Sequence, residues 1–127
     1  ASVIYLPENG ELRVDAIKDI TGDGVAFQTY DDKEKFIFDP SKPCNVTAYD
    51  DAELERIAKM VFKLVKAKHC LRIDFRIKDN VPYVIDVNMI PGLAPNGYMS
   101  RCLEVHGVGY HDMVRMVVNS ALCQEKI

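Results

Sequence analysis

At 127 residues, 48% hydrophobic and 28% charged, the chain fits a single domain over 1–127 and is long enough to bury a core. Its net charge of −3 argues against a nucleic-acid partner, which goes with a basic surplus or stripe. No apolar run approaches the ~20 residues that span a bilayer and no signal-peptide pattern opens the chain, so no membrane partner is expected.

The first residues, Ala1-Ser2-Val3-Ile4-Tyr5-Leu6, read as a strand already under way without an initiator Met, as in a part of a longer protein. Strands are expected over 3–6 and 12–17, joined by Pro7-Glu8-Asn9-Gly10, a Gly-terminated turn of hairpin length. From 18 to 43 the chain is rich in Asp, Gly, Lys and Pro. This stretch reads as a long loop, functional or mobile, with a short strand near Phe36-Ile37-Phe38. Within it, Asp19-Ile20-Thr21-Gly22-Asp23-Gly24 mimics the opening of a calcium loop, but Tyr30 stands where the bidentate Glu belongs, and a plain turn is the better reading.

Asp50 and Glu53 have capping-box spacing, and Leu54, Ile57, Ala58, Val61, Leu64 and Val65 then recur on one helical face. A helix over 51–66 follows. Two alternating strands come next, over 71–77 and 83–88, around the turn Lys78-Asp79-Asn80-Val81-Pro82. A short helix over 99–106 should stop at Gly107. A last helix carries Met113, Val114, Val117, Val118, Ala121 and Leu122 as its stripe. The fold class is α+β, a mainly antiparallel sheet with flanking helices.

Cys44, Cys70, Cys102 and Cys123 lie far apart with no CxxC pair, so neither a thiolate metal site nor a disulfide framework is expected. They read as reduced, mostly buried thiols of a cytoplasmic protein. His69, His106 and His111 stand apart in the sequence and read as surface or helix-end residues rather than catalytic bases.

The two central strands carry the chemistry. In Arg72-Ile73-Asp74-Phe75-Arg76-Ile77 the side chains alternate, so Arg72, Asp74 and Arg76 share one face. On the second strand Val84, Asp86 and Asn88 share another, with Tyr83, Ile85 and Val87 opposed to it. A turn centred on Asn80 places Asp74 opposite Asp86 and Arg72 opposite Asn88, with directly opposed Cβ atoms about 5 Å apart. Carboxylates so close repel. Two acids and an amide oxygen form a hard, all-oxygen donor set suited to magnesium or manganese and to nucleotide phosphates. The other reading is a surface hairpin whose acids merely pair with Arg72 and Arg76.

The run Asp86-Val87-Asn88-Met89-Ile90-Pro91-Gly92-Leu93 resembles the acid-x-Asn-x-x-Pro-Gly motif of ATP-grasp ligases of the D-alanine–D-alanine type. In that family the motif follows an Arg-x-Asp-Phe-like strand, as Arg72-Ile73-Asp74-Phe75 does here. Gly107-Val108-Gly109-Tyr110 resembles the turn into the family's last helix, and Tyr30-Asp31-Asp32-Lys33 resembles the Tyr-Glu-x-Lys of the loop that closes over the phosphates. The likeness runs from about Tyr30 to Leu122.

The resemblance implies the C-terminal lobe of an ATP-grasp fold. It also implies an ATP-dependent carboxylate–amine ligase that works through an acyl phosphate, with ATP, magnesium or manganese, a small carboxylate and an amine acceptor as partners. Asp74, Asp86 and Asn88 then match metal ligands. Arg72 matches the arginine that stabilises developing charge, and Gly92 a backbone N–H near the reacting carboxyl. Lys33 matches a phosphate-contacting lysine, although Lys35 nearby leaves a solvated surface lysine as the other reading. Ile85 stands near the adenine position, although strand alternation turns it away from Asp86. The N-terminal lobes that grip adenine and read the carboxylate are missing from these residues, and a homodimer is admitted as an assembly.

Three departures set this sequence apart. Asp86 stands where the family usually has Glu. Gly97 stands where D-alanine ligases commonly carry a Ser that holds the substrate carboxylate, with Asn96 or Ser100 as substitutes. Lys66-Ala67-Lys68-His69-Cys70 replaces a Gly-containing approach to the strand. They put D-alanine itself in question, and they support the alternative of a non-catalytic remnant that binds metal, nucleotide or a partner.

Overall fold

A computed structural model of the chain describes residues 1–19 and 46–124. The strand expected at Phe36-Ile37-Phe38 and most of the long loop, Lys33 included, lie outside the described residues.

Strands β1 (Ser2–Leu6) and β2 (Glu11–Asp15) form the expected hairpin, with Leu6 paired to Glu11 and Ser2 to Asp15. Gly10 closes its turn at φ +71, a conformation glycine adopts without a Cβ penalty. The second strand is shorter than the expected 12–17. The Ala16 carbonyl accepts the Tyr49 N–H at 3.0 Å, which takes the chain off the β1 ladder. Ile17 therefore opens β3 (Ile17–Asp19), which pairs with β4 (Val46–Ala48) in a separate two-stranded sheet.

Helix α1 (Ala52–Leu64) is capped by Asp51 and not by Asp50. Asp51 is extended at φ −143, and its Oδ1 accepts from the N–H groups of Glu53 at 2.9 Å and Leu54 at 3.3 Å. The Tyr49 hydroxyl donates to the other carboxylate oxygen at 3.3 Å and so favours Asp51 for this place. The helix stops at Leu64 because Lys66 turns left-handed, φ 57, and the Ala67 N–H bonds back to the Phe62 carbonyl. Leu54, Ala58 and Phe62 point inward, with Ile57 and Val61 half-buried. Leu64 is 72% exposed, so the inward stripe is rotated from the expected one towards Phe62.

The main sheet has the order β2-β1-β5-β6, with β5 (Cys70–Lys78) and β6 (Val81–Asn88), and every neighbouring pair is antiparallel. Alternation makes the central strands apolar on both faces. Val3, Leu71 and Ile73 meet Ala58 and Phe62 of α1 on one face. On the other, Ile4 and Cys70 meet Met99, Cys102, Leu103, Met113 and Val117. These last five belong to α2 (Tyr98–Glu104) and α3 (Tyr110–Gln124). Ile4, Leu71 and Ile73 are fully removed from water, each contributing about 1.5–3 kcal/mol of burial.

Between the last two helices Gly107 takes φ +84, and the Val108 N–H bonds back to the Leu103 carbonyl at 3.0 Å, the helix stop the sequence signals. In α3, Met113 and Val117 are buried as expected, but Ser120 is buried too, its hydroxyl donating to the His69 carbonyl at 3.2 Å. Val118 and Leu122 of the expected stripe are about half exposed. No helix among the described residues is long and apolar enough to cross a membrane.

Candidate functional site

The site grows from the β5–β6 hairpin. Its turn is the two residues Asp79 and Asn80, both left-handed at φ 51 and 62, in place of the five-residue turn expected. Paired left-handed residues make the tight turn whose twist matches the flanking strands. From the closing pair Lys78–Val81, an unbroken ladder would bring Asp74 opposite Ile85 and send Asp86 to the other face. Instead the ladder is irregular between Asp74 and Phe75. Phe75 pairs with Val84, Asp74 with Asp86 and Arg72 with Asn88, so Ile85 is the extra residue of a β-bulge. The expected register of the acids is therefore present, produced by the bulge and not by a turn centred on Asn80.

Arg72 and Asp74 lie on the sheet face that α2 and α3 cover. The Arg72 guanidinium is bidentate on Asp74, Nε to Oδ1 at 2.9 Å and Nη2 to Oδ2 at 3.1 Å, with the arginine side chain 20% exposed and the acid 38%. The guanidinium carbon also lies over the Tyr98 ring, 5.5 Å from its centroid. The pairings Asp15–Ser2, Ser2–Arg72 and Arg72–Asn88 form one row across the sheet. Asp86 is exposed on the edge strand.

Asn88 Oδ1 accepts the Ile90 N–H at 3.1 Å, which bends the chain from the strand into Pro91-Gly92. Gly92 is exposed, and no heavy atom lies within 4 Å of where its Cβ would be, leaving space beside its Cα. At Gly97 the opposite holds. A Cβ there would come within 3.3 Å of the Ala94 carbonyl oxygen, which already accepts from the Gly97 N–H at 3.0 Å and the Ser100 hydroxyl at 2.6 Å. Ser100 is 4% exposed and engaged in this loop, so of the two suggested substitutes it is turned away, and Asn96 is half-exposed. Ile85 is 59% exposed at the bulge. Lys33 lies outside the described residues.

No three His, Cys, Asp or Glu side chains gather to hold a metal among the described residues, so a cation here would rest on two carboxylates and the Asn88 amide oxygen. That set suits magnesium chemically. Asp74 and Asp86 face each other, each Asp74 carboxylate oxygen keeps a lone pair beyond its bond to Arg72, and magnesium keeps water or phosphate in its remaining positions.

The histidines have partners the sequence did not reveal. His106 Nδ1 donates to the Cys102 carbonyl at 2.8 Å while its Nε2 lies 3.4 Å from Asp50 Oδ1, and His69 Nδ1 accepts the Cys70 N–H at 3.1 Å. Cys70 and Cys102 are buried free thiols, and burial pushes both up from the ordinary thiol range. Cys123 is free and exposed, and Cys44 lies outside the described residues.

An antiparallel sheet between helices, with opposed acids on one hairpin and an Asn-x-x-Pro-Gly run leaving it, is the C-terminal part of an ATP-grasp ligase fold. Residues 2–119 match the family described as D-ala D-ala ligase C-terminus, and the chain belongs to that family. It is 28% identical over 117 residues to the D-alanine–D-alanine ligase of Vibrio parahaemolyticus, which takes in 89% of this chain and 36% of that protein. A D-alanine–D-alanine ligase of Bacillus anthracis is 32% identical over 75 residues, 56% of this chain and 25% of the relative. The crystal structure of D-alanine–D-alanine ligase from Bacillus anthracis complexed with ATP superposes with a TM-score of 0.54 at 26% identity, covering 64% of this chain and 33% of that one. The chain thus spans about a third of the length of such relatives.

Proposed function

We propose that this chain supplies the catalytic C-terminal part of an ATP-dependent carboxylate–amine ligase that works through an acyl phosphate. The observation that carries this reading is the opposition of Asp74 and Asp86, with Asn88 beside them, immediately ahead of Pro91-Gly92. Two like charges facing across a ladder destabilise the hairpin; Arg72 offsets the Asp74 charge, and a cation shared with Asp86 would offset both. The relatives named as D-alanine–D-alanine ligases, one of them solved with ATP, support the same reading.

In this reading Asp74, Asp86 and Asn88 would hold magnesium or manganese, which when bound neutralises phosphate charge. Lys33 contacts the phosphates and Ile85 lies against adenine. The γ-phosphoryl group passes to the substrate carboxylate, an amine attacks the acyl carbon, and phosphate leaves. Such transfers ask the protein mainly for positioning and charge stabilisation. Arg72 keeps three N–H donors beyond the two engaged by Asp74. They can meet the developing oxyanion together with the backbone N–H of the exposed Gly92. Asp86, with its shorter arm than Glu, would serve a single cation better than two. Gly97 leaves the substrate carboxylate without a serine there, so the joined pair is a carboxylate and an amine and need not be two D-alanines. A cytoplasmic setting goes with this reading.

ATP consumption by the complete polypeptide, measured with magnesium and with manganese, tests the reading. Asp74→Asn should abolish most turnover, and Asp86→Glu should keep it measurable while shifting the preferred metal. Turnover near wild type in Asp74→Asn would overturn the assignment in favour of a non-catalytic remnant.

A further inference from the structure

Arg72 is held by two partners of different character. Asp74 grips the edge of the guanidinium through two hydrogen bonds, and the Tyr98 ring lies beneath its central carbon. The arginine side chain is only 20% exposed, a setting in which attraction between a cation and a ring face is stronger than in open water. The partners come from different elements. Asp74 lies on β5, while Tyr98 opens α2, whose next residue, Met99, is fully buried with Cys102 and Leu103. The core therefore fixes the place of the ring independently of the Asp74 carboxylate.

The two contacts differ in what a ligand does to them. A carboxylate that joins a cation's donor set shares its charge with that cation, and its hold on the arginine weakens. The ring carries no formal charge and loses nothing in that exchange. A contact with the ring face requires no carboxylate acceptor, and the three N–H donors that Asp74 leaves remain for an oxyanion.

We infer that Tyr98 is a positioning residue for the ligation reaction, holding the Arg72 guanidinium over its ring while Asp74 serves the cation. The inference rests on the roles proposed above for Asp74 and Arg72. It assigns to α2 a part that neither the acid-x-Asn-x-x-Pro-Gly motif nor the paired acids express.

Kinetics on the complete polypeptide, with ATP and either metal, provide the test. Tyr98→Leu, which keeps apolar bulk and removes the ring, should lower kcat about tenfold while KM for ATP stays within about twofold. Tyr98→Phe should restore most of the rate. A second measurement works whether or not the enzyme turns over. The Arg72 Nε–H resonance should carry a ring-current shift that survives Asp74→Asn and disappears in Tyr98→Leu. Arg72→Ala separates the two levels of argument. If Arg72→Ala turns over normally, the role of Arg72 itself is wrong. If Arg72→Ala is slow and Tyr98→Leu is not, the positioning role alone is overturned. A Tyr98→Phe variant as slow as Tyr98→Leu overturns it as well, and so does a ring-current shift lost on Asp74→Asn.

Discussion

Asp74 faces Asp86 across the β5–β6 ladder because Ile85 is left out of it. The two-residue turn at Asp79-Asn80 sets one register, and the bulge moves the site end of β6 by one residue relative to it. Deleting Ile85 should therefore leave Phe75 opposite Val84 and Asp74 opposite Asp86 in an unbulged ladder with less local twist. Cross-strand NOEs between Asp74 and Asp86 check this. Their replacement by contacts between Asp86 and Ile73 would put the irregularity elsewhere.

The start of α1 separates two adjacent acids. Asp51 accepts two backbone N–H bonds, whereas the Asp50 side chain is 90% exposed beside His106. Asp51→Ala should cost about 0.5–2 kcal/mol, and Asp50→Ala should stay within about 0.5 kcal/mol. Urea unfolding of both variants at pH 7 decides between them, and equal losses would return the cap to Asp50.

The inward face of the same helix gives a second contrast. Phe62 is 5% exposed and Leu64 is 72%. Phe62→Ala should destabilise by about 3–5 kcal/mol through lost burial and a cavity between α1 and the sheet. Leu64→Ala, at the surface, should change stability by no more than about 0.5 kcal/mol. Thermal or urea unfolding of both will show whether the helix is seated on this face.

Burial holds the Cys102 thiol above its usual range. The folded protein then keeps the thiol proton at a pH where the unfolded chain has lost it. The stability from this group is fully present below the unfolded value near 8.5 and falls as pH rises above it, by at most about 1.4 kcal/mol per pH unit. Unfolding free energies measured between pH 8 and 10 should decline more steeply in the wild type than in Cys102→Ala. In the native state iodoacetamide should modify exposed Cys123 before Cys70 or Cys102. Rapid labelling of Cys102 would contradict the buried placement.

Much of this architecture is legible in local pattern. Alternation along Arg72 to Ile77 and apolar recurrence along α1 and α3 are properties of neighbours in the chain, and period 2 or 3.6 follows from backbone geometry alone. The membership of the family was visible the same way, because Asp86, Asn88, Pro91 and Gly92 keep their spacing in any fold. Gly107 signalled its helix stop through a conformation that depends on one residue.

Tertiary structure decided what depends on residues far apart. Ala16 ends β2 because the distant Tyr49 claims its carbonyl. Phe62 and Ser120 point inward because a sheet face and the His69 carbonyl lie opposite them. Arg72 over Tyr98 joins β5 to α2, and no periodicity within either element records that contact. The bulge at Ile85 lies between these cases. Alternation places Asp74 and Asp86 each on a face of its own strand, but whether the two faces coincide is set by the turn and by one unpaired residue, a choice made only when both strands pair in the folded sheet.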